Sequence, residues 1–119
     1  MSQQTSRISQ PLATADAQRV ENRQRLREFL RATPRHEGES KLVLLGLTEG
    51  APNVVVTRAW LTMAIEELRP QVRQVIRLTL EKRRTRKEAQ EYLQGISERT
   101  LEREQVSGLD ALIDRATKR

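Results

Sequence analysis

Residues 82–106 read KRRTRKEAQEYLQGISERTLEREQV, and this stretch contains the signals that predict how the second half of the chain folds. Thr85 and Glu88 form a capping-box pattern, in which a hydroxyl and a carboxylate each accept a hydrogen bond from a free amide at the start of a helix. A tight turn is predicted at residues 94–96, because its glycine can adopt the left-handed conformation that ends a helix. Ser97 then caps a further helix. The stretch therefore predicts two consecutive helices joined by a short turn.

Apolar residues at helical spacing flank this stretch on both sides. They form three stripes: Trp60, Leu61, Ala64, Ile65 and Leu68; Val72, Val75, Ile76 and Leu80; and Leu109, Leu112 and Ile113. Pro70 separates the first two stripes, because a proline either ends a helix or occupies its first turn, where the missing N–H costs little. The pair Ser107-Gly108 is predicted to kink or end the helix that begins at Ser97.

The N-terminal half carries weaker signals. Residues 1–15 are polar, and they are predicted to be a disordered tail because they can bury little apolar surface. Residues 16–32 show an imperfect apolar stripe that predicts a helix. This helix is expected to end at Thr33-Pro34, since the residue before a proline disfavours the α conformation.

The segment 41–57 allows two interpretations. Two runs rich in Val and Leu flank the turn-like sequence Thr-Glu-Gly-Ala-Pro at 48–52, which predicts a β-hairpin that packs on the helices. A short helix over residues 41–47 is the alternative, because the leucines there also suit one helical face. The Val-Val-Val run at 54–56 favours the hairpin, since β-branched residues fit strands.

Composition excludes several classes of protein. A chain of 119 residues predicts one compact domain, and the absence of Cys removes disulfides, zinc ribbons and thiol catalysis. With His36 as the single histidine and no nucleophile–base set, we expect no metal, no cofactor and no enzymatic activity. The N-terminus lacks a signal peptide and no apolar run is long enough to span a bilayer, so we expect no membrane partner and a cytoplasmic location.

Positive charge is concentrated in one place. The net charge is +6, and five positive charges fall within six residues, so the rest of the chain nets only +1. The five are Lys82, Arg83, Arg84, Arg86 and Lys87. A basic patch of this kind raises the expectation of an anionic partner such as nucleic acid.

The order of basic segment, helix, turn and capped helix is typical of a helix-turn-helix, in which a first helix braces a second that lies in the major groove of DNA. Leu93, Ile96 and Leu101 are expected to meet between the two helices. The predicted fold class is therefore mainly α, a helix-turn-helix bundle with an N-terminal helix and a short β-hairpin. The predicted organisation is a tail at 1–15, an N-terminal unit at 16–57 and a helix-turn-helix domain at 58–119.

Residues 67–112 also resemble region 4 of bacterial sigma factors, the domain that reads the upstream promoter element. The matching segments are LRPQVRQVIRL at 68–78, then Thr85, Glu88 and Leu93, and GISERTL at 95–101. The departures from the family pattern include Gln94, which lengthens the turn by one residue, and the three glutamates of the second helix. Nothing upstream resembles sigma region 2, so the resemblance implies a stand-alone regulator from a bacterium or a phage.

The helix-turn-helix and the resemblance together predict sequence-specific binding of double-stranded DNA and regulation of transcription at the nucleoid. The basic residues Lys82, Arg83, Arg84, Arg86 and Lys87 are expected to contact phosphates. Ser97, Glu98, Arg99, Thr100 and Arg103 are expected to face the backbone or base edges, with Arg99 and Arg103 the candidates for guanine. Because one such unit buries little surface, we expect a homodimer or support from RNA polymerase.

Two alternatives remain open at the level of sequence. In the first, the domain is a protein–protein adaptor that binds RNA polymerase or another regulator, and its acidic second helix keeps it off DNA. In the second, residues 82–106 form an ordinary helical hairpin whose charges are simply a solvated surface.

Overall fold

The computed structural model describes the backbone of residues 2–32 and 41–118 and the side chains of residues 15–32 and 41–118. Its elements, in chain order, are α1 (Ser2–Arg31), β1 (Lys41–Leu44), β2 (Val54–Thr57), α2 (Arg58–Glu66), α3 (Pro70–Ile76), α4 (Arg86–Tyr92) and α5 (Glu98–Thr117). A π-helical segment, Arg77–Glu81, continues directly from α3. The described chain is mainly helical with a small antiparallel sheet, which confirms the predicted mainly-α class with a short β-hairpin.

The N-terminal helix is longer than predicted. α1 begins at Ser2, so residues 2–15 are helical where the sequence predicted a disordered tail. Apart from Pro11, this segment holds residues that tolerate a helix and no glycine, so it can prolong a helix that is nucleated further along the chain. The predicted stop at Thr33-Pro34 lies outside the described residues. Although α1 is long, none of the described helices has the length and hydrophobicity that a membrane crossing requires.

The segment 41–57 forms the hairpin rather than the short helix. β1 and β2 pair antiparallel, with Leu42 opposite Val56 and Leu44 opposite Val54. Leu42, Leu44 and Val56 are buried on the side that faces the helices. The hairpin is held against α1 by Asn22, which is fully buried; its amide donates to the carbonyl oxygen of Leu45 at 2.9 Å and accepts from the Leu45 N–H at 2.7 Å. These contacts give the two strands the support that an isolated hairpin lacks in water.

One main core joins both halves of the chain. α1 contributes Leu26 and Leu30, and the hairpin, α2, α3 with its π-helical extension, and α5 supply the remaining buried side chains. Charged side chains strengthen the contact between α1 and α5. Arg23 donates to the Asp110 carboxylate at 2.7 and 2.9 Å, and this hydrogen bonding raises the pKa of Arg23. Arg19 similarly donates to Asp114 at 2.9 Å. The N-terminal helix is therefore fixed along the last helix.

The last helix is continuous, which corrects the prediction of a kink or an end at Ser107-Gly108. α5 runs unbroken from Glu98 to Thr117, and Gly108 lies buried against α3. A Cβ atom at Gly108 would lie 2.8 Å from Val72 Cγ1 and 2.8 Å from Ile76 Cγ1. The glycine therefore lets two helices approach closely, and its presence says nothing about where the helix ends.

Candidate nucleic-acid interface

A second, smaller core joins α3, its π-helical extension, α4 and α5. Its buried members are Val75, Leu78, Ala89 and Leu101, with Leu93 and Ile96 packed against them. This confirms the prediction that Leu93, Ile96 and Leu101 meet between the two helices. The cluster sets the position of α4 relative to the start of α5, as the predicted helix-turn-helix would require.

The start of α4 is fixed by the predicted capping box. The Thr85 hydroxyl accepts from the Glu88 N–H at 3.1 Å, and the Glu88 carboxylate accepts from the Thr85 N–H at 3.0 Å. That backbone hydrogen bond is the main reason why the pKa of Glu88 is lowered. Just before the cap, Arg83 adopts a left-handed φ of 51° and the Arg84 N–H donates to the Leu78 carbonyl oxygen at 2.8 Å. The chain thus turns sharply within the basic segment.

All five residues of the basic segment are exposed. Lys82, Arg83 and Arg84 lie in the sharp turn, and Arg86 and Lys87 occupy the first turn of α4. Within the described residues, Lys82, Arg84 and Lys87 form no ion pair with a carboxylate at contact distance. These cations are therefore accessible to an anionic ligand.

The turn between α4 and α5 contains two consecutive residues with left-handed backbone. Gln94 has a φ of 62° and Gly95 a φ of 83°. The Gly95 N–H donates to the Gln90 carbonyl oxygen at 2.8 Å, and the Gln90 side-chain amide donates to the Ile96 carbonyl oxygen at 2.9 Å. The turn is thus hydrogen-bonded on both sides, and the strain of a left-handed non-glycine residue falls on Gln94.

Replacing Gln94 with glycine is expected to raise the free energy of unfolding by about 0.5–1 kcal/mol. The substitution removes the ~1–2 kcal/mol that left-handed backbone costs a non-glycine residue. Part of this gain is lost because glycine is more flexible in the unfolded chain and loses more entropy on folding. The neighbouring change Gly95→Ala is expected to lower it by about 1 kcal/mol for the same reason. Urea unfolding followed by circular dichroism measures both. If Gln94→Gly lowered the stability, this account of the turn would be wrong.

The first two turns of α5 present the predicted reading face. The Ser97 hydroxyl accepts from the Thr100 N–H at 3.1 Å and donates to the Thr100 side-chain oxygen at 2.8 Å, which fixes the helix start. Arg99 and Arg103 are exposed, one helical turn apart, and no described carboxylate forms an ion pair with either. Ser97, Glu98, Arg99 and Arg103 are all exposed, so this face is open to a ligand.

Arg86 has a partner within the protein. Its guanidinium contacts Glu98 at 3.0 Å and Glu102 at 2.6 Å. Arg69 lies 3.8 Å from Glu104, whose side chain is only 17% exposed. Each of the three glutamates in the first half of α5 therefore has an arginine nearby. Of the predicted site residues, Arg86 and Glu98 face each other rather than both facing outward.

Sequence reasoning missed two arginines near this site. Arg27 and Arg31, from the C-terminal end of α1, line a cavity together with Arg84 and Arg86. Their spacing of four residues places them on one face of a helix, which was the signal available in the sequence. That signal could not show which part of the chain the face would meet.

No protein-family model, curated protein or solved structure shows significant similarity to this chain. What the site does must therefore be inferred from its own geometry and charge.

Proposed function

We propose that this protein is a sequence-specific regulator of transcription that binds double-stranded DNA, with α4 and α5 acting as a helix-turn-helix similar to sigma factor region 4. One observation carries the proposal: Arg99 and Arg103 stand exposed on successive turns at the start of α5, beside an exposed cationic segment. A helix-turn-helix uses these positions, the N-terminal turns of its second helix, to contact base edges.

Each part of the site has a physical role in this proposal. Arg99 and Arg103 donate to the O6 and N7 acceptors of guanine, the pairing that the guanidinium fork matches best in the major groove. Lys82, Arg84 and Lys87 bind phosphates on the flank and set the position of α5 in the groove. Ser97 and Thr100 lie at the helix start, where backbone N–H groups and the helix dipole also attract a phosphate.

The acidic residues of α5 are compatible with binding DNA because they are paired. Arg86 bridges Glu98 and Glu102, which offsets the repulsion that two unpaired carboxylates would exert on phosphates. The same bridge fastens the first turn of α4 to the first turn of α5. This pairing weakens the argument for the adaptor function, which assumes that the acidic residues of α5 prevent binding to DNA.

The proposal extends to partners and location. A single helix-turn-helix unit buries little surface, so we infer that formation of a homodimer or contact with RNA polymerase increases its affinity for DNA. The corresponding location is the nucleoid of a bacterium or of a cell infected by a phage. The adaptor function, with RNA polymerase or another regulator as its partner, is the outcome that remains if no duplex is bound.

Selection of bound sites from random duplex DNA tests the proposal directly, followed by salt titration on the selected site. The double variant Arg84→Ala with Lys87→Ala is expected to make the slope of log K against log salt shallower by about 1.8, since each phosphate contact contributes roughly 0.9. Lys41→Ala with Lys118→Ala removes the same charge away from the site and serves as the control. An enriched pool that shows no common sequence, or a slope that the first variant leaves unchanged, would contradict the proposal.

A further inference from the structure

A polar cavity of about 270 Å³ lies where α1, the basic segment and α5 come together. Four arginines of the described chain line it: Arg27 and Arg31 from α1, Arg84 from the basic segment, and Arg86 from α4. They come from distant parts of the sequence, so the fold itself assembles this concentration of positive charge. Arg31, Arg84 and Arg86 are exposed at the rim, and Arg27 is half-buried.

A hydrogen-bonded chain of side chains forms one wall of the cavity. Gln105 accepts from Arg27 Nε at 3.1 Å and donates from its amide to the Thr79 hydroxyl oxygen at 2.8 Å. The hydroxyl of Thr79, which is buried, donates in turn to the Val75 carbonyl oxygen at 2.7 Å. Because Nε of Arg27 is held by Gln105, its two terminal nitrogens remain to bind a ligand. The side chain is thus oriented before any ligand arrives.

The charges around the cavity are not balanced. Among the residues that the structure describes, Glu102 is the one carboxylate in the lining, and that group is already bound by Arg86 at 2.6 Å. Within the described residues, neither Arg27 nor Arg31 forms an ion pair with a carboxylate. An arginine in the last turn of a helix often stabilises the helix dipole, and that explains Arg31 alone. It does not explain why Arg27 and two guanidinium groups from other segments, Arg84 and Arg86, surround the same space.

We propose that this cavity binds a phosphate group. Guanidinium forks match the oxygen pairs of a phosphate, and several of them around one space favour a multiply charged anion over a single carboxylate. The cavity shares Arg84, Arg86 and Glu102 with the helix-turn-helix, so one source of the phosphate is the backbone of a bound duplex. That source rests on the proposed function, whereas a free phosphorylated small molecule is a source that does not.

Isothermal titration calorimetry of the full chain with inorganic pyrophosphate tests the cavity without DNA. The double variant Arg27→Gln with Arg31→Gln is expected to weaken binding by about tenfold or more, since hydrogen bonds to charged groups are among the strong ones. Arg31→Gln alone, at an exposed position where we expect the fold to be retained, is expected to weaken it by about threefold or more. The matched control is Lys41→Gln with Lys118→Gln, which removes two charges elsewhere and should leave binding within about twofold.

The same variants, titrated with the selected duplex, separate the two sources of phosphate. If the cavity holds a backbone phosphate, Arg27→Gln with Arg31→Gln also weakens duplex binding and makes its salt dependence shallower by about 0.9 or more. If duplex binding is unchanged, or the wild type binds no duplex, while pyrophosphate binding still depends on both arginines, the ligand is a free phosphorylated molecule. If pyrophosphate does not bind, or binds equally to the double variant and the control, the proposed phosphate site is wrong.

Discussion

Replacing Gly108 with valine is expected to lower the free energy of unfolding by about 3 kcal/mol, at the upper end of what overpacking a buried site costs. The reason is the close approach of α3 and α5. A Cβ atom at this position would lie 2.8 Å from Val72 Cγ1 and 2.9 Å from Ile76 Cδ1, and a valine adds two methyl groups beyond it.

The neighbouring side chains have little room to move away. Val72 and Ile76 are buried on one face of α3, and β-branched side chains in a helix have essentially one favourable rotamer. The helices would therefore have to separate, which loosens the main core around Leu109 and Leu112. Gly108→Ala is expected to cost less, because alanine in a helix regains about 1 kcal/mol of intrinsic propensity relative to glycine.

Ser107→Val is the matched control, since it places the same side chain one residue away at an exposed position of the same helix. Urea unfolding by circular dichroism should show a small change for this control and a large loss for Gly108→Val. Equal effects of the two substitutions, or a gain from Gly108→Ala, would mean that the glycine is not needed for close approach of the helices.

Gly108 also shows where sequence reasoning stops. A glycine after a serine, followed by a new apolar stripe, has the local signature of a helix end, and no local signal distinguishes that from a glycine that faces a second helix. The difference lies in Val72 and Ile76, more than thirty positions earlier in the sequence. The start of α1 at Ser2 is a related case, since a polar composition does not by itself exclude a helix.

The features predicted correctly are those whose causes are local. The capping box of Thr85 and Glu88 and the left-handed Gly95 each depend on a few neighbouring residues, so their patterns are visible in the sequence. The cluster of Leu93, Ile96 and Leu101 follows from helical periodicity and a short turn. The run of valines favours the hairpin, whereas the register that buries one of its faces is set by pairing between strands that are ten residues apart in the sequence.

The charged residues of the candidate site show the same difference between local features and features that depend on distant contacts. Exposure of the basic segment follows from its own composition. Its internal partners do not: Arg86 meets Glu98 and Glu102 only after the turn brings the two helix starts together, and Arg27 reaches Gln105 only because α1 lies along α5. The site features that the sequence does not predict are therefore, among the described residues, those that depend on contacts between distant segments.

Replacing Arg99 and Arg103 together with alanine is expected to reduce the preference for a selected site over a scrambled duplex by about 2–6 kcal/mol, because each guanidinium that pairs with a guanine contributes roughly 1–3 kcal/mol of discrimination. The fold should be unaffected, since both side chains are exposed and pair with no described carboxylate. Competition binding at constant salt, with the selected and scrambled duplexes measured side by side, gives the ratio of the two affinities. Phosphate contacts that both duplexes share cancel in this ratio.

The charge-conserving variant Arg99→Lys with Arg103→Lys separates base reading from attraction to the backbone. Lysine keeps the positive charge but lacks the planar fork, so this variant should retain binding to the scrambled duplex while losing most of the preference for the selected site. A loss of affinity that is equal for both duplexes in the alanine variant, and is restored by lysine, would place Arg99 and Arg103 on phosphates. In that case sequence recognition by the start of α5 would have to be abandoned, even if the protein binds DNA.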